Sequence, residues 1–125
     1  FELWGALLNG ARLVLAPPSP LNLDVICAQV QQHQVSTLWL TAGLFELLGA
    51  AQLSQLHSLR QLLAGGDVLS RAAVERVNQA LPHCQLINAY GPTEATTFSS
   101  CHRFDKEAVT SVPIGRPIAG TRIYL

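Results

Sequence analysis

Short apolar runs alternating with amphipathic stretches constrain the fold of this chain more than any other feature. Runs at residues 35–40, 59–63 and 85–88 have the length and composition of strands covered by a sheet's neighbours. The segments around them have helical spacing instead. Leu23, Ile26, Cys27 and Val30 recur on one helical face, and Asn22 stands where it can cap the first turn. Val74, Val77 and Leu81 form a second stripe that Ser70 opens and Pro82 ends, and residues 44–48 turn back as a short helix. Strands separated by helices imply a parallel sheet with right-handed crossovers. The expected class is α/β, a mostly parallel sheet with flanking helices. Toward the start, residues 2–9 read as a helix stopped by Gly10, and residues 12–16 as a strand halted by Pro17, Pro18 and Pro20. Toward the end, turns marked by Pro113, Gly115, Pro117 and Gly120 lead to a strand at 121–125.

Composition removes several function classes. Eight Lys and Arg balance eight Asp and Glu, so no long-range field gathers nucleic acid or an anionic membrane surface, and neither partner is expected. No apolar run approaches the roughly 18 residues that cross a bilayer. Cys27, Cys84 and Cys101 are too few and too widely spaced for a zinc site or a disulfide framework, and read as buried thiols of a cytoplasmic protein. His33, His57, His83 and His102 are scattered without a nucleophile motif beside them. A chain of 125 residues holds one domain at most. With no Met and no secretory leader, it is expected to be an internal piece of a longer protein, undivided over 1–125.

Ligands of open α/β sheets bind outside the carboxyl ends of the strands, and two polar loops leave predicted strands there. The first is Ala64-Gly65-Gly66-Asp67, whose glycines let a flat ligand approach the backbone; alone it is equally an ordinary turn. The second, Asn88-Ala89-Tyr90-Gly91-Pro92-Thr93-Glu94, is richer. Tyr90 offers a face to a base, Gly91 and Pro92 make a bend, Thr93 carries a hydroxyl for a phosphate oxygen, and Glu94 carries a carboxylate for Mg²⁺. Glu94 by itself is a solvated loop acid; the set together describes a nucleotide site. A non-catalytic α/β binding module is the competing interpretation, and it would want the clustered acids or phosphate nest that this chain lacks.

The stretch NAYGPTE resembles the hallmark loop of the adenylate-forming superfamily, in the form used by amino-acid-activating adenylation domains of nonribosomal peptide synthetases. FELWGALLNGARL, LRQLLAGGDVLS and VPIGRPIAGTRIYL are similar to further segments of that family in order and spacing, so the likeness covers essentially the whole chain. An acyl-CoA ligase of the same superfamily more often carries a variant of the loop. The resemblance implies a partial AMP-binding core from the large N-terminal subdomain, with ATP and Mg²⁺ as cofactors and an aminoacyl-adenylate as product. It also implies a partner, a downstream carrier-protein domain bearing phosphopantetheine. Tyr90 would stack on adenine, while Asn88 and the Ala89 backbone would address the base edge and the substrate amine. Thr93 would contact the α-phosphate and Glu94 would hold the metal, with Gly65, Gly66, Asp67 and Gly91 against the nucleotide.

The same resemblance implies a selectivity pocket at Phe1, Trp39, Leu63, Gly65, Ala89, Thr97 and Phe98, a pattern similar to that of valine-activating domains. None of these side chains is charged, so an ionic substrate side chain would be buried without a counter-charge. Trp39 and Leu63 read equally as strand core, and both roles are compatible. The family's amine-anchoring acid, its Ser/Thr/Gly-rich phosphate loop, its ribose-holding acid and its catalytic lysine have no match here. Lys106 fits none of these motifs and reads as a surface charge.

Overall fold

The computed structural model describes residues 1–18, 20, 22–105 and 109–124. Three parallel strands make the centre of a five-stranded sheet: β1 (Thr37–Thr41), β2 (Gln61–Gly65) and β3 (Gln85–Tyr90). Two antiparallel strands, β4 (Ser100–Arg103) and β5 (Arg116–Pro117), continue it in the order β1-β2-β3-β4-β5. The helices are α1 (Glu2–Leu7), α2 (Leu23–His33), α3 (Ala42–Glu46), α4 (Ala50–Leu53) and α5 (Arg71–Ala80), with a 3₁₀ turn at Thr93–Ala95.

Local chemistry accounts for the helix starts. Asn22 Oδ1 accepts from the backbone N–H groups of Asp24 and Val25 at 2.7 and 3.3 Å, and Ser70 Oγ accepts from Ala73 N at 3.1 Å. Each such cap is worth about 1 kcal/mol. Cys27 and Val30 of α2, Phe45 of α3, Leu53 of α4, and Val74 and Val77 of α5 then bury against Leu40, Leu62, Ala64 and Leu86 of the strands. The main core thus lies entirely on one face of the sheet. Full burial of a side chain of this size contributes roughly 1.5–3 kcal/mol. The opposite face carries a smaller cluster around Leu63, Ile87 and Ala89.

Several expectations are corrected. Residues 12–16 are extended but join no ladder, because a groove of about 840 Å³ lined by Leu13, Val14, Thr37 and Trp39 separates them from β1, and a strand needs a partner at about 4.8 Å. β1 is covered on one face only: Leu40 is buried, whereas Trp39 is half-buried and Thr37 and Thr41 are exposed. β2 lies two residues later than its apolar run, so Gly65 belongs to the strand and not to the loop; β3 likewise extends through Ala89 and Tyr90. β4 has no counterpart among the expected strands. Residues 121–124 form no strand, and the ladder at this end is β5 instead. Cys101 is half-buried, unlike Cys27 and Cys84. Leu125 of the expected terminal strand, and Lys106, lie outside the described residues.

Gly65 pairs with Ala89 across β2 and β3, and a Cβ at Gly65 would collide with the Ala89 carbonyl. Gly65→Ala is therefore expected to lower the unfolding free energy by about 1–3 kcal/mol, read from the denaturant midpoint. Burial first, and the nearby Asp24 carboxylate second, push the Cys27 thiol up from 9.0 to about 11. A raised acid pKa favours the protonated native form, so its contribution is complete below the unfolded value and disappears as pH rises from about 9 to about 11. Stability should decline over that interval, and the decline should be shallower in Cys27→Ala.

Candidate functional site

The parallel register brings the two polar loops to one rim. Thr41 pairs with Gly65, and Gly65 with Ala89, so β1, β2 and β3 all run out at the same edge of the sheet. Beyond β2, Gly66 takes φ +84, a backbone region that favours glycine, and a Cβ there would meet open space. Asp67 is exposed, with its Oδ1 accepting from Val68 N at 2.7 Å. Beyond β3, Gly91 lies so close to the returning chain that a Cβ would come within 2.8 Å of Phe98 Cα. These glycines differ in kind. Gly65 and Gly91 are required by neighbouring backbone, whereas Gly66 stands open at the rim.

Tyr90 ends β3 with its ring half-exposed, at 48%. Its backbone is held by the ladder to Ser100 and by Ser99 N donating to Tyr90 O at 2.8 Å. The chain then bends at Pro92 into the 3₁₀ turn, which carries Thr93 and Glu94 with both side chains exposed. Thr96 closes the turn at φ 72 and ψ −36. A non-glycine residue there costs on the order of 1–3 kcal/mol, and in exchange the chain doubles back onto the sheet. Thr97 Oγ1 donates to the Thr96 carbonyl at 2.6 Å, and Phe98 returns to the face of Ala89.

The selectivity residues assemble on the sheet face that the core helices leave free. Directly paired residues on neighbouring strands share a face, and here two rows cross the sheet. Trp39, Leu63 and Ile87 make one row, and Thr41, Gly65, Ala89 and Cys101 the next. Leu63, Ile87 and Ala89 are buried in one cluster, with Trp39, Phe98 and Cys101 packed on it. Phe1 joins from the other end of the chain, its ring centroid 5.4 Å from that of Phe98. The Trp39 indole N–H is buried there with no acceptor among the described residues. Ile87 and Cys101 were missed by sequence reasoning. Ile87 was legible, standing two positions before Ala89 on a strand; Cys101 was not, because its place depends on the unforeseen antiparallel pairing of β4.

Asn88 alternates to the other side of β3, the side of Leu86. It is buried, and its Nδ2 donates to the Pro113 carbonyl at 2.8 Å. Ser100 Oγ makes the matching tie to the Ile114 carbonyl at 2.8 Å. Together they fasten the segment after β4 to the strands behind the rim. Burial, more than offsetting the Arg103 charge, pushes the Cys101 thiol up, so it stays protonated at neutral pH.

The rim can hold a metal in one way only. Among the described residues no group of three or more His, Cys, Asp or Glu side chains could enclose an ion. Glu94 is a lone exposed carboxylate with no ion-pair or hydrogen-bond partner among the described residues. One or two carboxylates with substrate phosphates completing the shell is how Mg²⁺ is ordinarily held, so the donor set fits that ion as a shared ligand. No helix of the described residues is long and apolar enough to cross a membrane.

Comparison with known proteins agrees with this geometry. The chain is 40% identical over 126 residues to tyrocidine synthase 3 of Brevibacillus parabrevis, a match covering 100% of this chain and 2% of that protein. It is 41% identical over 126 residues to surfactin synthase subunit 2 of Bacillus subtilis (strain 168), covering 100% of the chain and 4% of the relative. The structure of PA1221, an NRPS protein containing adenylation and PCP domains, matches with a TM-score of 0.84 at 43% identity over 95% of this chain and 24% of that one. The N-terminal subdomain of Klebsiella oxytoca NpsA, in complex with anthranilyl-AMSN, matches with a TM-score of 0.84 at 31% identity over 94% of this chain and 31% of that one. This chain therefore spans a small part of each relative. The profile of the family described as AMP-binding enzyme matches it from residue 1 to residue 125, and the chain belongs to that family.

Proposed function

We propose that this chain is part of an amino-acid-activating adenylation domain, which joins ATP to an amino acid as an aminoacyl-adenylate and passes it to a carrier-protein thiol. One observation carries the reading: the in-register ends of β2 and β3 set Gly66, Asp67, Tyr90, Thr93 and Glu94 on one rim, directly beside an uncharged apolar surface. A nucleotide and an aliphatic side chain need that adjacency.

In this reading the half-exposed Tyr90 ring stacks on adenine, and Gly66 and Asp67 border the nucleotide. Main-chain groups around Ala89 receive the base edge and the substrate amine. Asn88, tied to Pro113, acts by holding that main chain in place. Thr93 donates to the α-phosphate. Glu94 supplies a ligand to Mg²⁺, which when bound neutralises phosphate charge as the substrate carboxylate attacks the α-phosphorus and pyrophosphate leaves. Phe1, Trp39, Leu63, Gly65, Ala89, Thr97 and Phe98 enclose the substrate side chain. Bulky aromatic walls and the absence of charge favour a small aliphatic amino acid such as valine.

The amine-anchoring acid and the catalytic lysine would come from elsewhere in the parent protein, as would the carrier domain. Each charge-assisted contact contributes roughly 1.5–3 kcal/mol, and about 1.4 kcal/mol is tenfold in affinity. The 125-residue chain by itself should thus show no measurable ATP–pyrophosphate exchange with valine, and turnover near that of the parent would refute this. In the parent, Glu94→Ala should lower kcat for exchange roughly 100-fold with an unchanged unfolding midpoint. Tyr90→Ala should raise KM for ATP about tenfold or more with KM for the amino acid little changed. An undiminished rate in the first variant would exclude the metal role.

A further inference from the structure

The geometry points to Cys101 as a further specificity-determining residue, one that closes the substrate side-chain pocket at its β4 end. The inference rests on the adenylation reading above and adds a residue to its site. Cys101 is the direct partner of Ala89, so its side chain rises on the same face as the pocket residues, one strand beyond the row of Thr41, Gly65 and Ala89. The middle of that row is nearly empty. Gly65 has no side chain and Ala89 has a single methyl, so the row is a trough bounded along its side by Trp39, Leu63 and Ile87. The next side chain with volume along it is Cys101, packed on the same cluster and half-buried. A substrate side chain lying over Gly65 and Ala89 therefore meets the sulfur at the far end.

Two contacts keep this boundary from yielding. A Cβ at Gly115 would strike the Cys101 carbonyl group and the His102 nitrogen, so the backbone of β4 has the following segment pressed against it. Ser100 Oγ ties the adjoining residue to the Ile114 carbonyl at 2.8 Å. With the main chain fixed from behind, a change of volume at position 101 is taken up by the pocket and not by a shift of the strand. The burial that keeps the thiol protonated also keeps this wall neutral, as an aliphatic substrate requires.

The test is ATP–pyrophosphate exchange by the full parent synthetase, with the amino acid it activates and the homologue one methylene longer. Cys101→Ala is expected to raise the kcat/KM ratio of longer to shorter substrate about tenfold or more, and Cys101→Leu to lower it comparably, with KM for ATP unchanged. Cys27→Ala, on the helix-covered face, should leave the ratio alone. If the larger replacement fails to fold, Cys101→Ser keeps the size and adds a stronger dipole, and should raise KM for the amino acid without moving KM for ATP. Ratios that stay within about twofold of the parent, with KM for the amino acid unmoved in Cys101→Ser, would overturn the role of Cys101. A parent that activates no aliphatic amino acid would instead overturn the substrate reading, while the ratio measured on its true substrate still judges Cys101.

Discussion

The close approach of β2 to β3 at Gly65 and Ala89 is the constraint on which the rest of this structure depends. It sets a register in which neither strand outruns the other, so that the loop after each leaves from the same rim. A side chain at Gly65 would force the Ala89 carbonyl away and separate the two loops. Gly65 therefore contributes to any ligand site first through the sheet: by removing volume between two backbones, it places Gly66 and Asp67 beside Tyr90 and the turn that follows.

The sheet divides its labour by face. One face is fully committed to stability, with α2, α3, α4 and α5 packed on Leu40, Leu62, Ala64 and Leu86. The other has no such helix layer among the described residues, and carries two rows of side chains whose middle positions are small. Burying apolar surface on the first face provides the free energy that lets the second remain open. The strained Thr96 and the unpartnered Trp39 indole N–H both lie on the open side or at its rim. Such costs persist where the surrounding structure outweighs them, which is commonly at sites that meet a ligand.

What could be read from the sequence follows from how local each signal is. The caps at Asn22 and Ser70 and the stripe of α5 are set by neighbours within a turn or two, and residue spacing alone located them. Propensity assigns Gly65 to a loop because glycine breaks strands, while here it serves a close approach that only the partner strand explains. Residues 12–16 have strand composition, yet a strand exists only through a paired edge, and the groove beside β1 denies them one. β4 failed in the opposite sense: Ser-Cys-His-Arg shows no apolar alternation, and its burial comes from pairing with β3 and from the Ser100 tie to Ile114. The site divided along the same line. Tyr90, Thr93 and Glu94 were legible as one contiguous motif, whereas Cys101 enters only through antiparallel register.

Tyr90 shows how the open face is prepared in advance. A tyrosine ring left half in solvent gains little from burial, so its position must be held by something other than its own packing. The main chain does this: the ladder to Ser100 and the bond from Ser99 N fix the residue from one side, and Gly91, pressed on Phe98, fixes the bend from the other. A base arriving at the rim then has few backbone rotations to freeze, and most of the stacking energy is available as affinity instead of being consumed by ordering. The same ties connect that ring to the selectivity face, since the chain held against Gly91 is the chain that delivers Phe98 and, three residues on, Cys101. Nucleotide platform and side-chain pocket are thus two surfaces of one folded-back hairpin, and displacement of either is transmitted through the backbone they share.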